Sequence, residues 1–433
     1  MVKTKSGFLV AALIAVTAVS GCGKRDVILP GERLSIRPNA DIQVQNASAG
    51  VALGAPVSNA DWAQGGGNAT HQMPHLALSA TPSLRYSVDI GRGDSRRTRL
   101  TSAPVVAGGV VYTMDTESLV RAFGPGGVLL WENNITPIAD NPGDGFGGGL
   151  AVAGERLVAT TGFGQVVALG TASGDVLWRY DLDAPLRAAP TIADNRIYVM
   201  TRAEKAYALS LNGALEWTLQ GPTAGAPYTL AAAAPAVAGG VVALPYSSGQ
   251  VIGAATNGQG RWATTVNAGA PSESRSVLGD FTGGPVIANG RIFISNQNGE
   301  TAALSLQGGG KLWSQPIGAM SSPAVLGGTL FMVTDDARLV RLNASNGAAL
   351  WAVQLPQWNN PDRRRGFIAH FGPVIAGGVL WVAGADGQLR GFDPQSGAQV
   401  HSVAIPGGAA TAPVVAQGVL YVLGRNGTLN AFQ

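Results

Sequence analysis

Residues Pro190–Gln220 read PTIADNRIYVMTRAEKAYALSLNGALEWTLQ, and the grain of this stretch decides the fold. It breaks into four short runs, PTIA, RIYVMT, KAYALSL and LEWTLQ, in which apolar and polar residues alternate between small or polar turns. Alternation with a period of two sends successive side chains to opposite faces of a strand. A helix would need apolar residues at i, i+3, i+4 over ten or more positions, and none of the runs supplies that. Four short strands in about 30 residues is the unit to look for elsewhere.

The unit recurs along the chain. Its opening phrase is a small residue and Pro, two apolar residues, a Gly/Asn turn and an apolar pair ending in an aromatic. It stands at Ala103–Tyr112 (APVVAGGVVY), Ala189–Tyr198, Ala234–Ala243, Gly284–Phe293, Ser322–Phe331, Gly372–Trp381 and Ala412–Tyr421. A degenerate copy without Pro, GLAVAGERLV, fills Gly149–Val158 and makes eight. A second phrase closes on Trp131, Trp178, Trp217, Trp262, Trp313 and Trp351, and in weaker form on His401. Those positions are spaced by 47, 39, 45, 51, 38 and 50 residues. Four-stranded units at this period are the blades of a propeller.

The last copy lacks its fourth strand, because the chain stops at Gln433. A strand of the missing kind, Leu84–Val88, lies ahead of the first copy. The expectation is an all-β, eight-bladed propeller of antiparallel blades over 61–433, its ring closed by an N-terminal strand. Closure removes the open edge that would invite aggregation. The 61 glycines then have a use in tight turns, and the repeated Trp residues are expected to pack between neighbouring blades as structural plugs.

The first 21 residues carry Lys3 and Lys5 and then an uncharged, largely apolar run to Gly21, which has the shape of a signal peptide. The run meets the chain's single cysteine in Val19-Ser20-Gly21-Cys22, which resembles a bacterial lipobox, so Cys22 is the expected site of lipidation. Gly23 follows, not the Asp that would favour inner-membrane retention, and the resemblance implies a lipid anchor on the periplasmic face of the outer membrane. Residues 22–60, rich in Ala, Asn, Ser, Gly and Pro, read as a tether with a short strand near Ile42–Val44. Without Lys3 and Lys5 the 29 basic side chains become 27 against 26 acidic ones, so the high isoelectric point gives no ground for nucleic-acid binding.

The repeat resembles the tryptophan-docking motif of PQQ-type quinoprotein propellers. With the lipobox, the eight units and the tether, the chain resembles the BamB family of outer-membrane assembly lipoproteins. That resemblance implies a non-enzymatic scaffold without a cofactor. It would dock on the periplasmic domains of the barrel-inserting component and assist delivery of unfolded β-barrel precursors. The family's docking connectors match Gln220–Ala234, which offers Tyr228 and Leu230, and Asn267–Gly284, which offers Glu273, Arg275, Leu278 and Asp280. The alternative is a periplasmic PQQ-like propeller that binds a small ligand or quinone. Enzymes of that kind pair adjacent cysteines over the cofactor, and no Cys-Cys pair is present.

Other signals are weaker. His71-Gln72-Met73-Pro74-His75 has i, i+4 histidines, but Pro74 breaks any helix there, and a surface loop is expected with no metal. Two basic runs, Arg96, Arg97 and Arg99, and Arg363, Arg364 and Arg365, precede the first and seventh blade phrases. Both fall in connectors from an outer strand to the next inner strand, so both should lie on one rim of the disc as a possible contact for a partner or an anionic surface.

Overall fold

A computed structural model describes residues 42–45, 49–222, 233–266, 280–297 and 299–433. Eight four-stranded antiparallel sheets form an eight-bladed β-propeller. The third shows the pattern: Thr191–Ala193 pairs with Arg196–Met200, then Lys205–Ser210, then Leu215–Gln220, from the axis outward. These match the four runs read in the sequence to within two residues. Blade 8 is composite: Val414–Ala416, Val419–Gly424 and Thr428–Phe432 come from the end of the chain, and Leu84–Asp89 is its outermost strand.

The second and third strands of this blade are largely buried on both faces, whereas its outer strand alternates between exposed and half-covered positions. The six repeated Trp residues join blade to blade. Each indole Nε1 donates to a carbonyl in the outer turn of the next blade: Trp131 to Thr171, Trp178 to Leu211, Trp217 to Thr256, Trp262 to Leu306, Trp313 to Ala344 and Trp351 to Pro394. Under each ring lies a glycine of that turn. At Gly174, with φ +76°, an added Cβ would stand 2.4 Å from the Trp131 ring. Only glycine allows both the left-handed turn and this approach. The seventh junction departs from the rule, as its weaker phrase foretold: His401 stands where the Trp would be, and within its own blade it stacks on Trp381 at 5.7 Å.

A propeller leaves one edge of each innermost strand unpaired toward the axis, and buried N–H and C=O groups need partners. Here the chain supplies them itself. One residue of every inner strand meets the segment Asn59–Leu76, which passes the blades in order. Asn59 Nδ2 donates to Val415 O at 2.7 Å, and Trp62 exchanges two bonds with Val106. Val152 N donates to Ala63 O, and Ile192 exchanges two with the Gln64 amide. Val237 and Ile287 donate to Ala69 O and Thr70 O. Gln72 Nε2 reaches Val325 O at 3.5 Å, and Leu76 N reaches Ile375 O. Val57 and Leu76 then pair in parallel, which closes the clasp on itself.

Two sequence expectations change. Residues described between Ile42 and Ala60 are held to the ring, although the sequence reads as tether to residue 60. Val44 bridges Ala349, and the buried Arg341 donates to Ala49 O and Gly50 O, both at 2.8 Å. His71 and His75 are buried, not in a surface loop, because their rings serve the clasp: His71 Nδ1 bonds Pro285 O at 2.8 Å, and His75 Nε2 accepts from Gly378 N.

Candidate functional site

The two faces of the ring differ in what they carry. One bears the short turns between first and second strands, such as Gly108-Gly109 and Gly377-Gly378, and there the clasp lies. Asp61 Oδ1 accepts from Gly108 N on that side. The other bears the connectors between blades, together with the turns between second and third strands, and its connectors are long enough to hold a partner.

Of the residues expected to dock, Tyr228, Leu230, Glu273, Arg275 and Leu278 lie outside the described residues. Asp280 is described, and it is buried at 7% exposure rather than displayed on the connector. Its backbone carbonyl accepts from Gln297 N, and Phe281 beside it is buried in the core shared by blades 4 and 5. Asp280 therefore anchors the connector's root. It stands where the chain has already turned inward, not out along the connector.

The roots of both connectors are clamped. Glu204, at φ +57°, accepts from Ser247 N at 3.1 Å and from Ser247 Oγ, while its own carbonyl takes Gly221 N at 2.7 Å. Burial pushes the Glu204 carboxyl above its ordinary value, the Ser247 bonds oppose this, and the nearby Asp280 charge adds to the rise. Tyr246 packs on Gly221, where an added Cβ would come within 2.0 Å of the ring, and burial raises the phenol. Asn296 Nδ2 donates to Val266 O at 2.6 Å. Sequence reading found none of this group, since isolated acids and hydroxyls in turns carry no periodic signal.

The basic runs separate. Around the first, Arg92 meets Glu117 at 3.8 Å and Arg425 meets Asp94 at 3.0 Å, and Arg99 donates to the carbonyls of Ser95 and Thr98. Arg96 and Arg97 are exposed in the same loop. The second run caps a small hairpin, Trp358–Asn360 with Arg365–Phe367, that stands out of the connector between blades 6 and 7. Trp358 and Phe367 meet edge to face at 5.6 Å. The turn signal, Asn-Asn-Pro-Asp between aromatics, was present in the sequence beside the arginines. Among the described residues, no group of three His, Cys, Asp or Glu side chains converges as a metal site.

Residues 116–353 and 350–433 match the family described as outer membrane protein assembly factor BamB. Relatives of that name include one from Yersinia pestis, 26% identical over 257 residues, covering 58% of this chain and 65% of the relative. Another, from Alteromonas naphthalenivorans, is 27% identical over 260 residues and covers 55% and 60%. The chain thus spans just under two thirds of the length of these relatives. Among solved structures, BamB from Moraxella catarrhalis superposes with TM-score 0.68 at 19% identity, over 82% of this chain and 100% of that one. A europium-containing methanol dehydrogenase superposes with TM-score 0.66 at 14% identity, over 84% and 89%. At such identities these two likenesses speak for the fold alone.

Proposed function

Because the chain belongs to the outer membrane protein assembly factor BamB family, we propose that it is a non-enzymatic scaffold lipoprotein of β-barrel assembly. In this reading it is anchored through Cys22 at the periplasmic face of the outer membrane. It docks through the connectors between blades 3 and 4 and between blades 4 and 5 on the periplasmic domains of the barrel-inserting component, and it assists delivery of barrel precursors. The observation that carries the reading is the division of labour between the faces. The connector roots at Glu204, Gly221, Val266 and Asp280 are clamped by hydrogen bonds to the blades, and each root leads into one of the two connectors assigned to docking. Binding residues held on a rigid scaffold in this way are the usual use of loops.

The quinone-binding alternative is disfavoured by the clasp. Asn59–Leu76 fill one mouth of the axis with backbone and with the buried side chains of Trp62, Gln64, His71 and Leu76. Arg275→Glu with Leu278→Ala tests the docking reading: capture of the barrel-inserting component from detergent-solubilised envelopes should fall while circular dichroism and melting stay near the parent. Undiminished capture would remove these connectors from the interface. Cys22→Ser should leave a folded ring that no longer sediments with membranes, since acyl chains rather than a protein face would hold it there.

A further inference from the structure

We propose that the cavity at the foot of the Trp358–Phe367 hairpin is a docking site for an acidic segment of a partner protein that carries one bulky apolar anchor residue. This is a second surface, beyond the connectors assigned above. The cavity, of about 330 Å³, lies on the connector face where blades 5, 6 and 7 meet, and Met320, Val333, Ala337, Phe367, Ile368 and Phe371 form its apolar wall. Met320 and Phe367 stand 45% and 42% exposed at its rim. Apolar side chains gathered around a recess on a polar rim mark a place that something covers.

The charge beside it says what kind of segment. Arg363, Arg364 and Arg365 are all exposed at the hairpin tip, and among the described residues none of the three makes an ion pair. Asp362 offsets one of the three charges and leaves the tip basic. Arg365 and Phe367 are two apart on one strand, so the guanidinium and the cavity wall lie on the same side of it. Guanidinium groups offer planar forks that suit carboxylates, and the cavity next to them has room for a large side chain. The first basic run also exposes Arg96 and Arg97, but acids of its own chain meet the neighbouring Arg92 and Arg425, and none of its residues lines this cavity.

The site is also built in advance. The Trp358–Phe367 ring contact fixes the hairpin, Ile368 N donates to Gln357 O at 3.0 Å, and His370 Nε2 bonds Pro356 O at 2.7 Å. A partner therefore does not have to order the loop before it binds, which lowers the cost of association.

The test uses the full chain and fluorescently labelled synthetic peptides of about a dozen residues, with one Leu or Phe set among Asp and Glu. Controls replace the anchor by Ala or the acids by Lys. Saturable binding is expected for the acidic peptide. It should weaken at least tenfold with Arg363→Glu and Arg365→Glu together, with the Ala peptide and with Phe367→Ser, and it should fall as salt rises. Melting curves establish that each variant is folded. The proposal is overturned if the Lys peptide binds as well as the acidic one, or if the arginine variant binds undiminished. It is equally overturned if vesicles containing phosphatidylglycerol bind through the arginines while the peptides do not. Sedimentation closes the last escape. A dimer that dissolves with Ile138→Ser would put the acidic loop of a second copy, with its fully exposed Ile138, in the cavity instead of a partner.

Discussion

On one face of the ring the chain closes its own axis. On the other it carries long connectors, an apolar recess and three exposed arginines that make no ion pair among the described residues. The difference is chemical as well as geometric. Residues of the clasp meet backbone groups that would otherwise stand unpaired at the axis, so that face is finished by the chain's own hydrogen bonds. On the connector face the backbone is satisfied at the connector roots, and what remains open is side-chain chemistry. A surface finished by backbone pairing has little to offer a partner, whereas one finished only at its roots can bind without giving up stability.

The largest effect should come from breaking the ring rather than either face. A chain beginning at Thr81 keeps Leu84–Asp89 and should still fold, with a lowered melting temperature because eight inner edges lose the clasp. A chain beginning at Gly91 loses the closing strand as well, exposing the edge of Thr428–Phe432 together with the buried Phe432. Insolubility or loss of cooperative melting is expected for the second and not for the first. Equal behaviour would mean that clasp and closing strand act as one unit.

Next is the junction between blades. Trp351→Ala should cost about 3–5 kcal/mol, the range for removing a large buried aromatic, since the hydrogen bond to Pro394 O and the packing on Gly397 go together. Denaturant melts read this directly. His401→Ala, at the one junction where a stacked His replaces the Trp, should cost less, because its ring is more exposed and no indole bond is lost.

The pH response should be strongest on the clasped face, although burial also lowers His370 on the connector face and acts there in the same sense. Burial pulls His71 down from 6.5 to about 4, against the bond to Pro285 O that favours the charged form, and its buried Nε2 has no hydrogen-bond partner among the described residues. The unfolded or undocked chain therefore takes up a proton that the docked one refuses. The stability His71 contributes is complete above about pH 6.5 and is lost as the pH falls toward 4. The loss is at most about 3 kcal/mol, from 1.36 kcal/mol per pH unit. Hydrogen exchange of the Asn59–Leu76 amides should quicken over that window before the blades respond, and His71→Gln should flatten the dependence. Glu204, with its raised carboxyl, works in the opposite sense: the strain of its buried charge is relieved as it protonates, so the connector roots should not loosen in parallel.

How far the molecule was legible in its sequence follows the same division. The blades announce themselves because each Trp, each turn glycine and each alternating run repeats, and repetition is what sequence reading detects. The closing strand was found by its absence from the last repeat. The clasp was invisible: Asn59, Trp62, Gln64, Thr70 and Gln72 have no common spacing, because the segment meets blades at steps of one to five residues and uses backbone and side chain interchangeably. His71 and His75 misled for the same reason, as polar residues near Pro74 that proved to be interior. Asp280 was placed on the connector by its resemblance to the family's docking pattern, and only the packing of Phe281 shows where the chain turns inward.

The smallest effect is the one that best separates the faces. Arg363→Glu with Arg365→Glu alters side chains that are exposed and make no ion pair among the described residues. Substitutions of that kind change stability by about 0.5 kcal/mol or less. Arg341→Met, by contrast, removes a buried guanidinium whose bonds to Ala49 O, Gly50 O and Thr329 Oγ1 tie the N-terminal segment to blade 6. Leaving those carbonyls unpaired should cost about 1–3 kcal/mol and loosen that segment. The two arginine changes are thus expected to exchange phenotypes: the connector-face variant melts like the parent and loses peptide binding, and the clasp-side variant melts lower and keeps it. Measuring both properties on both variants is decisive, because a connector-face arginine that mattered for melting would be structural. The open face would then be no more available to a partner than the closed one.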